Sequence, residues 1–295
     1  MTRIGFIGLG VMGRPMAGHI LDGIGEGGSL VINNYDRERV THLLERGATW
    51  AENAREVAQA ADVVIVMVPD IPDVRAICEG PDGLVAGVSA PTVLVVSSTV
   101  SPEGVRELDV DLARRSDGLL RVVDAPVSGG EAGAVAGTLS IMVGGDDEPV
   151  ARVLPVLAHT GTPLHLGPLG AGQVAKACNQ LICAAEITAI AEASVVAERA
   201  GLDVGRLFEL LQGGYAGSRV LADKGPRYAT KDYSVSGAAK FWVKDLAAYL
   251  AEAERTGTPS VQGEALHRAF TELTAQGLGD QDTAVVQAYI ANLPA

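Results

Sequence analysis

A lysine beside two carboxamides, a Ser-Gly-Gly loop and a run of spaced glycines are the residues whose types and spacing could do chemistry. Lys176 precedes Asn179 and Gln180 by three and four residues, so on a helix the three side chains share one face. A lysine held in an apolar interior can exchange protonation states near neutrality, which suits it to give or take a proton at an oxygen. The alternative is that Lys176 caps a loop or reaches solvent through its methylenes. Ser128-Gly129-Gly130 follows the apolar run Val122-Val123-Asp124-Ala125-Pro126-Val127. A strand ending there would let several backbone N–H groups converge on one anion, such as a carboxylate. As a local pattern it is equally an ordinary loop.

Near the amino terminus, Ile4, Phe6 and Ile7 lead into Gly8-Leu9-Gly10-Val11-Met12-Gly13, a G-x-G-x-x-G. In a dinucleotide site Gly8 permits the tight turn, Gly10 lets a pyrophosphate approach the backbone, and Gly13 lets the following helix pack close to the strand. With 36 glycines in 295 residues the pattern arises by chance, so its context matters. Here a strand precedes it, a helix follows, and a second strand from Leu30 to Tyr35 ends in Asp36. A carboxylate at that tip can accept both ribose hydroxyls of NAD and repel a 2′-phosphate. Arg37 beside it keeps NADP possible, and Asp36 could also serve as a helix N-cap.

The elements that must position these groups follow from the patterning. Helical stretches at Val40 to Arg46 and Asn53 to Ala60 alternate with apolar strands at Ala61 to Val68, Thr92 to Val96 and Thr138 to Val143. Alternation of this kind predicts a parallel sheet with helices on both faces and ligands beyond the carboxyl ends of the strands. Val68-Pro69 and Ser97 to Thr99 fall at such ends; Ser101-Pro102 also reads as the start of a helix. After Pro168 strand signals cease. From Gly170 to Gly201 there is no proline and no glycine beyond Gly172, which predicts a helix of about 40–45 Å. Lys176, Asn179, Glu186, Glu192 and Glu198 make it read as too polar to span a membrane. Further helices are expected at Asp203 to Gln212, Ala239 to Glu254, Val261 to Gln276 and Asp282 to Ala291. The expected architecture is an α/β Rossmann-type domain over 1–168, then an all-α domain over 169–295 built on the long interdomain helix.

Composition bounds the function. The chain is 47% hydrophobic and 20% charged, values typical of a globular protein. A formal net charge of −13 argues against nucleic acid or an anionic membrane as partner. Cys78, Cys178 and Cys183 form no paired framework, which points to a reducing, cytoplasmic compartment. The run from Met1 into the first strand shows no leader pattern. Five scattered histidines give no metal-ligand spacing, so no metal site is expected.

Taken together, GFIGLGVMGRPM, SSTVSP, DAPVSGGEAGAVAGTLSIMVGGD, GAGQVAKACNQ, GGYAGS and the late KDL resemble the β-hydroxyacid dehydrogenases over essentially the whole chain. This family includes 3-hydroxyisobutyrate dehydrogenase and tartronate semialdehyde reductase (2-hydroxy-3-oxopropionate reductase). The resemblance implies hydride transfer between NAD or NADP and a small 3-hydroxy acid or its semialdehyde. It implies Lys176 as the catalytic lysine, Ser128, Gly129 and Gly130 at the substrate carboxylate, and Asn179 or Gln180 as the amide beside the substrate. Gly8, Gly10, Val11, Met12, Gly13, Asp36, Arg37, Val68, Pro69, Thr99 and Lys244 would contact the cofactor. A homodimer or homotetramer is implied as well. Two positions depart from the pattern: Val96 stands where an aspartate often precedes the Ser/Thr turn, and Gly237 where several members carry an aromatic that walls the site. GGYAGS is closer to the tartronate semialdehyde reductase branch. The alternatives are an imine reductase-like NAD(P)H enzyme, whose members usually lack the lysine, and a non-catalytic dinucleotide-binding module.

Overall fold

The computed structural model describes residues 3–294; Met1, read above as leading into the first strand, lies outside them. The chain divides into two compact units, one ending at Lys176 and the other starting at Ala177. The division falls inside the long helix, past Pro168.

The first unit opens with β1 (Arg3–Ile7), α1 (Gly13–Gly23), β2 (Ser29–Asn33), α2 (Thr41–Glu45), β3 (Thr49–Trp50), α3 (Ala54–Ala60) and β4 (Val63–Val66). It continues with α4 (Ile71–Cys78), α5 (Leu84–Gly87), β5 (Thr92–Val96), α6 (Pro102–Arg115) and β6 (Leu120–Asp124). Then come β7 (Val127–Ser128), α7 (Gly130–Ala136), β8 (Leu139–Gly144), α8 (Asp147–Leu157), β9 (Gly161–Gly167) and the start of α9 (Ala171–Arg199).

One nine-stranded sheet runs in the order β3-β2-β1-β4-β5-β6-β8-β7, with β9 beside β8. The strands from β3 to β6 pair in parallel, Ile4 lying opposite both Leu30 and Val63. The expected parallel pairing extends through β6; beyond it β8 is antiparallel to both β6 and β7. Residues of alternate parity enter two cores, one on each face. Ile4, Phe6, Val63, Ile65, Val93 and Val95 pack with α1, α7 and α8; Ile7, Val64, Val66, Leu94 and Val96 pack with α3, α4 and α6. All four residues of β4 and all five of β5 are buried, so their runs of Val, Ile and Leu are those of strands covered on both faces. The crossover between β3 and β4 reverses the winding direction beside β1, so the glycine turn lies at the topological switch point where such sheets bind ligands.

The second unit contains the rest of α9 with α10 (Val204–Leu211), α11 (Arg219–Thr230), α12 (Phe241–Arg255), α13 (Val261–Ala275) and α14 (Val286–Ala291). Helix α11 falls where the sequence gives no helical expectation, because Gly225 and Pro226 read as breakers. Ser218 caps it, accepting the Leu221 N–H at 3.0 Å, and Gly225 lies beside the Phe208 side chain. By length and composition α9 is apolar enough to cross a membrane, so polarity does not exclude a span as the sequence suggests. About a third of that apolar stretch is buried, 33%, on a side where Ala184, Ile187 and Ala191 join the core of the second unit with Phe208, Tyr228, Phe270 and Tyr289.

Candidate active site

The glycine turn is built for a ligand. Gly8 has φ +91°, and a Cβ there would stand 2.4 Å from the Met67 carbonyl oxygen. A Cβ on Gly13 would stand 2.1 Å from the Gly8 oxygen, so α1 can meet β1 this closely only with glycine. At Gly10 a Cβ would meet nothing within 4 Å, which leaves the backbone open from outside. No side chain caps α1, and its first N–H groups carry the positive end of the helix dipole. Val11 is exposed and Met12 half-buried on the same turn. An open glycine beside an uncapped helix N-terminus fits a dinucleotide pyrophosphate.

The second strand ends at Asn33, not at Tyr35. The chain leaves the ladder because the Asn34 side chain accepts the Leu9 N–H at 3.2 Å and donates to the Asp36 carbonyl at 3.0 Å. Asn34 thereby ties the glycine turn to the tip of β2, a role its residue type alone does not announce. The Asp36 carboxylate accepts the Glu38 N–H and pairs with Arg39, each at 3.1 Å. The Arg37 guanidinium lies 5.4 Å from the centre of the Trp50 ring and 3.9 Å from Glu52.

Three neighbouring strand ends converge on the start of α9. Beyond β4, the Val68 N–H donates to Ser98 Oγ at 2.8 Å, with Pro69 exposed next to it. Beyond β5, the Gln173 carboxamide accepts the Val100 N–H at 3.0 Å and donates to the Ser98 carbonyl at 2.8 Å. Thr99, half-buried, lies within this turn. At the end of β6, Asp124 is fully buried and accepts the N–H groups of Gly170 and Gln173, both at 2.7 Å. Burial pushes the Asp124 carboxyl above the usual aspartate range, opposed by these two donors. Lys176, one turn beyond Gln173, is buried. Neither Asp124 nor Gln173 was a candidate from sequence; the recognisable signal is an aspartate closing a buried strand.

The Ser-Gly-Gly segment joins a short strand to a helix. Val127 and Ser128 form β7, with Ser128 opposite Ser140, and α7 starts at Gly130 without a side-chain cap. Gly129 and Gly130 have φ of +138° and +61°, are exposed, and a Cβ on Gly130 would meet nothing within 4 Å. Backbone N–H groups are thus presented at an accessible turn.

In the second unit, Asn179 donates to Gln180 Oε1 at 3.0 Å, and Gln180 donates to Asp245 Oδ2 at 2.6 Å. Lys244 donates to the other oxygen of Asp245 at 2.7 Å. The Lys244-Asp245 pair thus centres on a buried carboxylate. Gly237 is exposed, and its N–H donates at 3.1 Å to Asp282. Fully buried Asp282 also takes the Ser236 hydroxyl at 2.7 Å and the Lys224 ammonium at 3.1 Å.

Residues 3–178 match the family described as the NAD binding domain of 6-phosphogluconate dehydrogenase. Residues 170–289 match the family described as NAD-binding of NADP-dependent 3-hydroxyisobutyrate dehydrogenase. An Arabidopsis thaliana probable 3-hydroxyisobutyrate dehydrogenase-like 3 protein is 38% identical over 94% of this chain and 84% of its own. The NAD-dependent L-serine dehydrogenase of Pseudomonas aeruginosa is 36% identical over 97% of both. The structure of Mycobacterium tuberculosis 3-hydroxyisobutyrate dehydrogenase with L-serine superposes with a TM-score of 0.82 at 31% identity, covering 100% of each chain. A dinucleotide turn at the switch point, a lysine one turn into the long helix and relatives matched along nearly their full length lead to one assignment: the chain belongs to the β-hydroxyacid dehydrogenase family of NAD(P)-dependent oxidoreductases.

Proposed function

We propose that this enzyme interconverts a small 3-hydroxy acid and its semialdehyde, of the 3-hydroxyisobutyrate dehydrogenase or 2-hydroxy-3-oxopropionate reductase type, with Lys176 as the general acid–base. The observation that carries the reading is the fastening of the lysine's helix, through Gln173, to the Ser98–Val100 turn at the strand ends that border the glycine turn. Gly8, Gly10, Val11, Met12 and Gly13 would hold the pyrophosphate, Asp36 the ribose, and Val68, Pro69, Thr99 and Lys244 the rest of the dinucleotide. A dinucleotide bound there would supply the hydride acceptor for oxidation of the alcohol carbon and the hydride donor for reduction of the aldehyde. In the oxidation direction neutral Lys176 takes the hydroxyl proton as the carbonyl forms; in reduction its ammonium returns that proton to the oxygen. Ser128 and the N–H groups at Gly129 and Gly130 hold the carboxylate, while Asn179 and Gln180 orient the substrate. L-Serine and 3-hydroxyisobutyrate, named for the relatives, share a carboxylate and an oxygen on C3, which supports this substrate class. The reading includes a homo-oligomer, for which exposed Ile182 and Val196 on α9 offer apolar surface.

The test is a panel of 3-hydroxy acids and semialdehydes, each good substrate being compared with its methyl ester. Charge-assisted hydrogen bonds contribute about 1.5–3 kcal/mol each, so losing the anion lowers kcat/KM by well over about tenfold. Equal kcat/KM for the ester would remove the anion site and favour an imine or simple alcohol substrate.

The cofactor preference follows from Asp36. A 2′-phosphate placed against its carboxylate is repelled, and Arg37 and Arg39 are engaged with Trp50 and Asp36 respectively. NAD(H) is therefore expected to give the higher kcat/KM, and Asp36→Ser to narrow the gap. A parent enzyme that prefers NADP(H) would make the arginines the dominant contacts.

A further inference from the structure

We propose that Asp124 and Gln173 are positioning residues: together they fix the first turn of α9 on three strand ends and so set where Lys176 stands relative to the turn bordering the cofactor. The proposal rests on the reading of Lys176 given above. A serine or threonine at the helix's own N-cap would satisfy a first-turn N–H without burying a carboxylate. Asp124 reaches instead from the end of β6, one oxygen to Gly170 and the other to Gln173, which locks the helix to the sheet in rotation as well as height. Gln173, only 1% exposed, uses both ends of its carboxamide on the main chain of one turn, accepting from Val100 and donating to Ser98. A carboxamide is both donor and acceptor, so neither a carboxylate nor an ammonium can replace it there. Ser98 passes the restraint on to Val68.

The surroundings leave little slack. A Cβ on Gly172 would stand 2.2 Å from the Met142 oxygen, and one on Gly144 would stand 2.4 Å from Asp124 Oδ1. The helix start is therefore pressed against β8 while Asp124 and Gln173 hold it. Lys176 follows Gln173 by three residues on the same helix face. A small displacement of this turn therefore moves the amine and the Ser98–Val100 turn together, and displacements of about 1 Å in a reacting group can cost about a hundredfold in rate.

A double-mutant cycle decides it. Gln173→Met, Lys176→Ala and the double variant are compared with the parent for kcat with chemistry rate-limiting, and Asp124→Asn is run in parallel. Positioning through Lys176 predicts that Q173M lowers kcat by about tenfold or more in the parent but less than about threefold once Lys176 is alanine. The same factor in both backgrounds would overturn the positioning role while leaving the lysine's own role intact. A K176A enzyme that keeps more than about a third of kcat would remove both. An independent readout is dinucleotide affinity without turnover, followed by NADH fluorescence. Q173M should weaken it by about three- to tenfold, because the Ser98–Val100 turn loses its anchor; unchanged affinity would overturn the shared role of Gln173. Should Q173M not fold, Gln173→Glu keeps the acceptor for Val100, loses the donor to Ser98, and runs the same cycle.

Discussion

Lys176→Ala should bind NADH as the parent does and turn over about 10²–10⁴-fold more slowly, the usual contribution of a positioned acid–base group. The expectation follows from the oxygen chemistry. Removing a hydride from an alcohol carbon leaves a hydroxyl proton that must depart, and the reverse step leaves an alkoxide that must be protonated. The lysine is buried on a helix whose start is hydrogen-bonded to the strand ends, so water cannot replace it at the same geometry. Single-turnover measurement of the hydride step separates this loss from slow product release, and fluorescence titration of NADH separates it from lost binding. Retention of more than about a third of the single-turnover rate would sink the assignment.

Asp282→Ala should cost about 3–5 kcal/mol of stability, the usual consequence of removing one member of a buried ion pair. The carboxylate is fully buried and faces Lys224, itself buried. The N–H groups of Ser236, Gly237 and Ala284 also depend on it. Burial works to raise this carboxyl, but the Ala284 N–H, the Ser236 hydroxyl and the Lys224 ammonium outweigh it and hold the pKa at about 2. Because the folded value lies below the unfolded value of about 3.9, the linked stability is fully present above about pH 4 and is lost as pH falls through 2. It amounts to about 2–3 kcal/mol. Denaturant titrations of parent and Asp282→Asn should therefore converge between pH 4 and pH 2. A gap that stays constant across that window would show that the charge is not what Asp282 contributes.

Much of the first unit was legible because its signals are local. The glycine spacing, the apolar runs Val63–Val66 and 93–96 of β4 and β5, and Ser101-Pro102 each fix their element without distant help; Ser101 does cap α6, accepting the Gly104 N–H at 3.0 Å. The misses share a different cause. Helix α11 contains Pro226, and what favours a helix there in spite of it is the burial of its own Leu221 and Tyr228 in a core shared with Phe208. The end of β2 depends on Asn34 finding Leu9, which is 25 residues away in sequence. Asp124 was visible as part of a motif, but its work is done on Gly170 and Gln173, 46 and 49 residues on. Asp282 likewise serves Ser236 and Lys224, 46 and 58 residues before it. Spacing reveals groups that act within one turn or one strand, whereas partners separated by most of a domain become visible only once the chain has folded.

The fastening of α9 also bears on how the helix loosens. A helix end is ordinarily where fraying starts, because its first N–H groups have only water as partners. Here Gly170 and Gln173 give theirs to a buried aspartate at 2.7 Å, and the Gln173 side chain is in turn bound to the turn beyond β5. Unwinding from this side requires strand ends to open first, so the lysine's turn shares the persistence of the sheet. The opposite end is tied through side chains at its surface, Lys231 donating to Glu198 at 2.6 Å and Arg199 to the Ala291 carbonyl at 2.9 Å. A helix rooted in this way keeps its first turn for as long as the strand ends stay closed, so the position of Lys176 is as durable as the sheet itself.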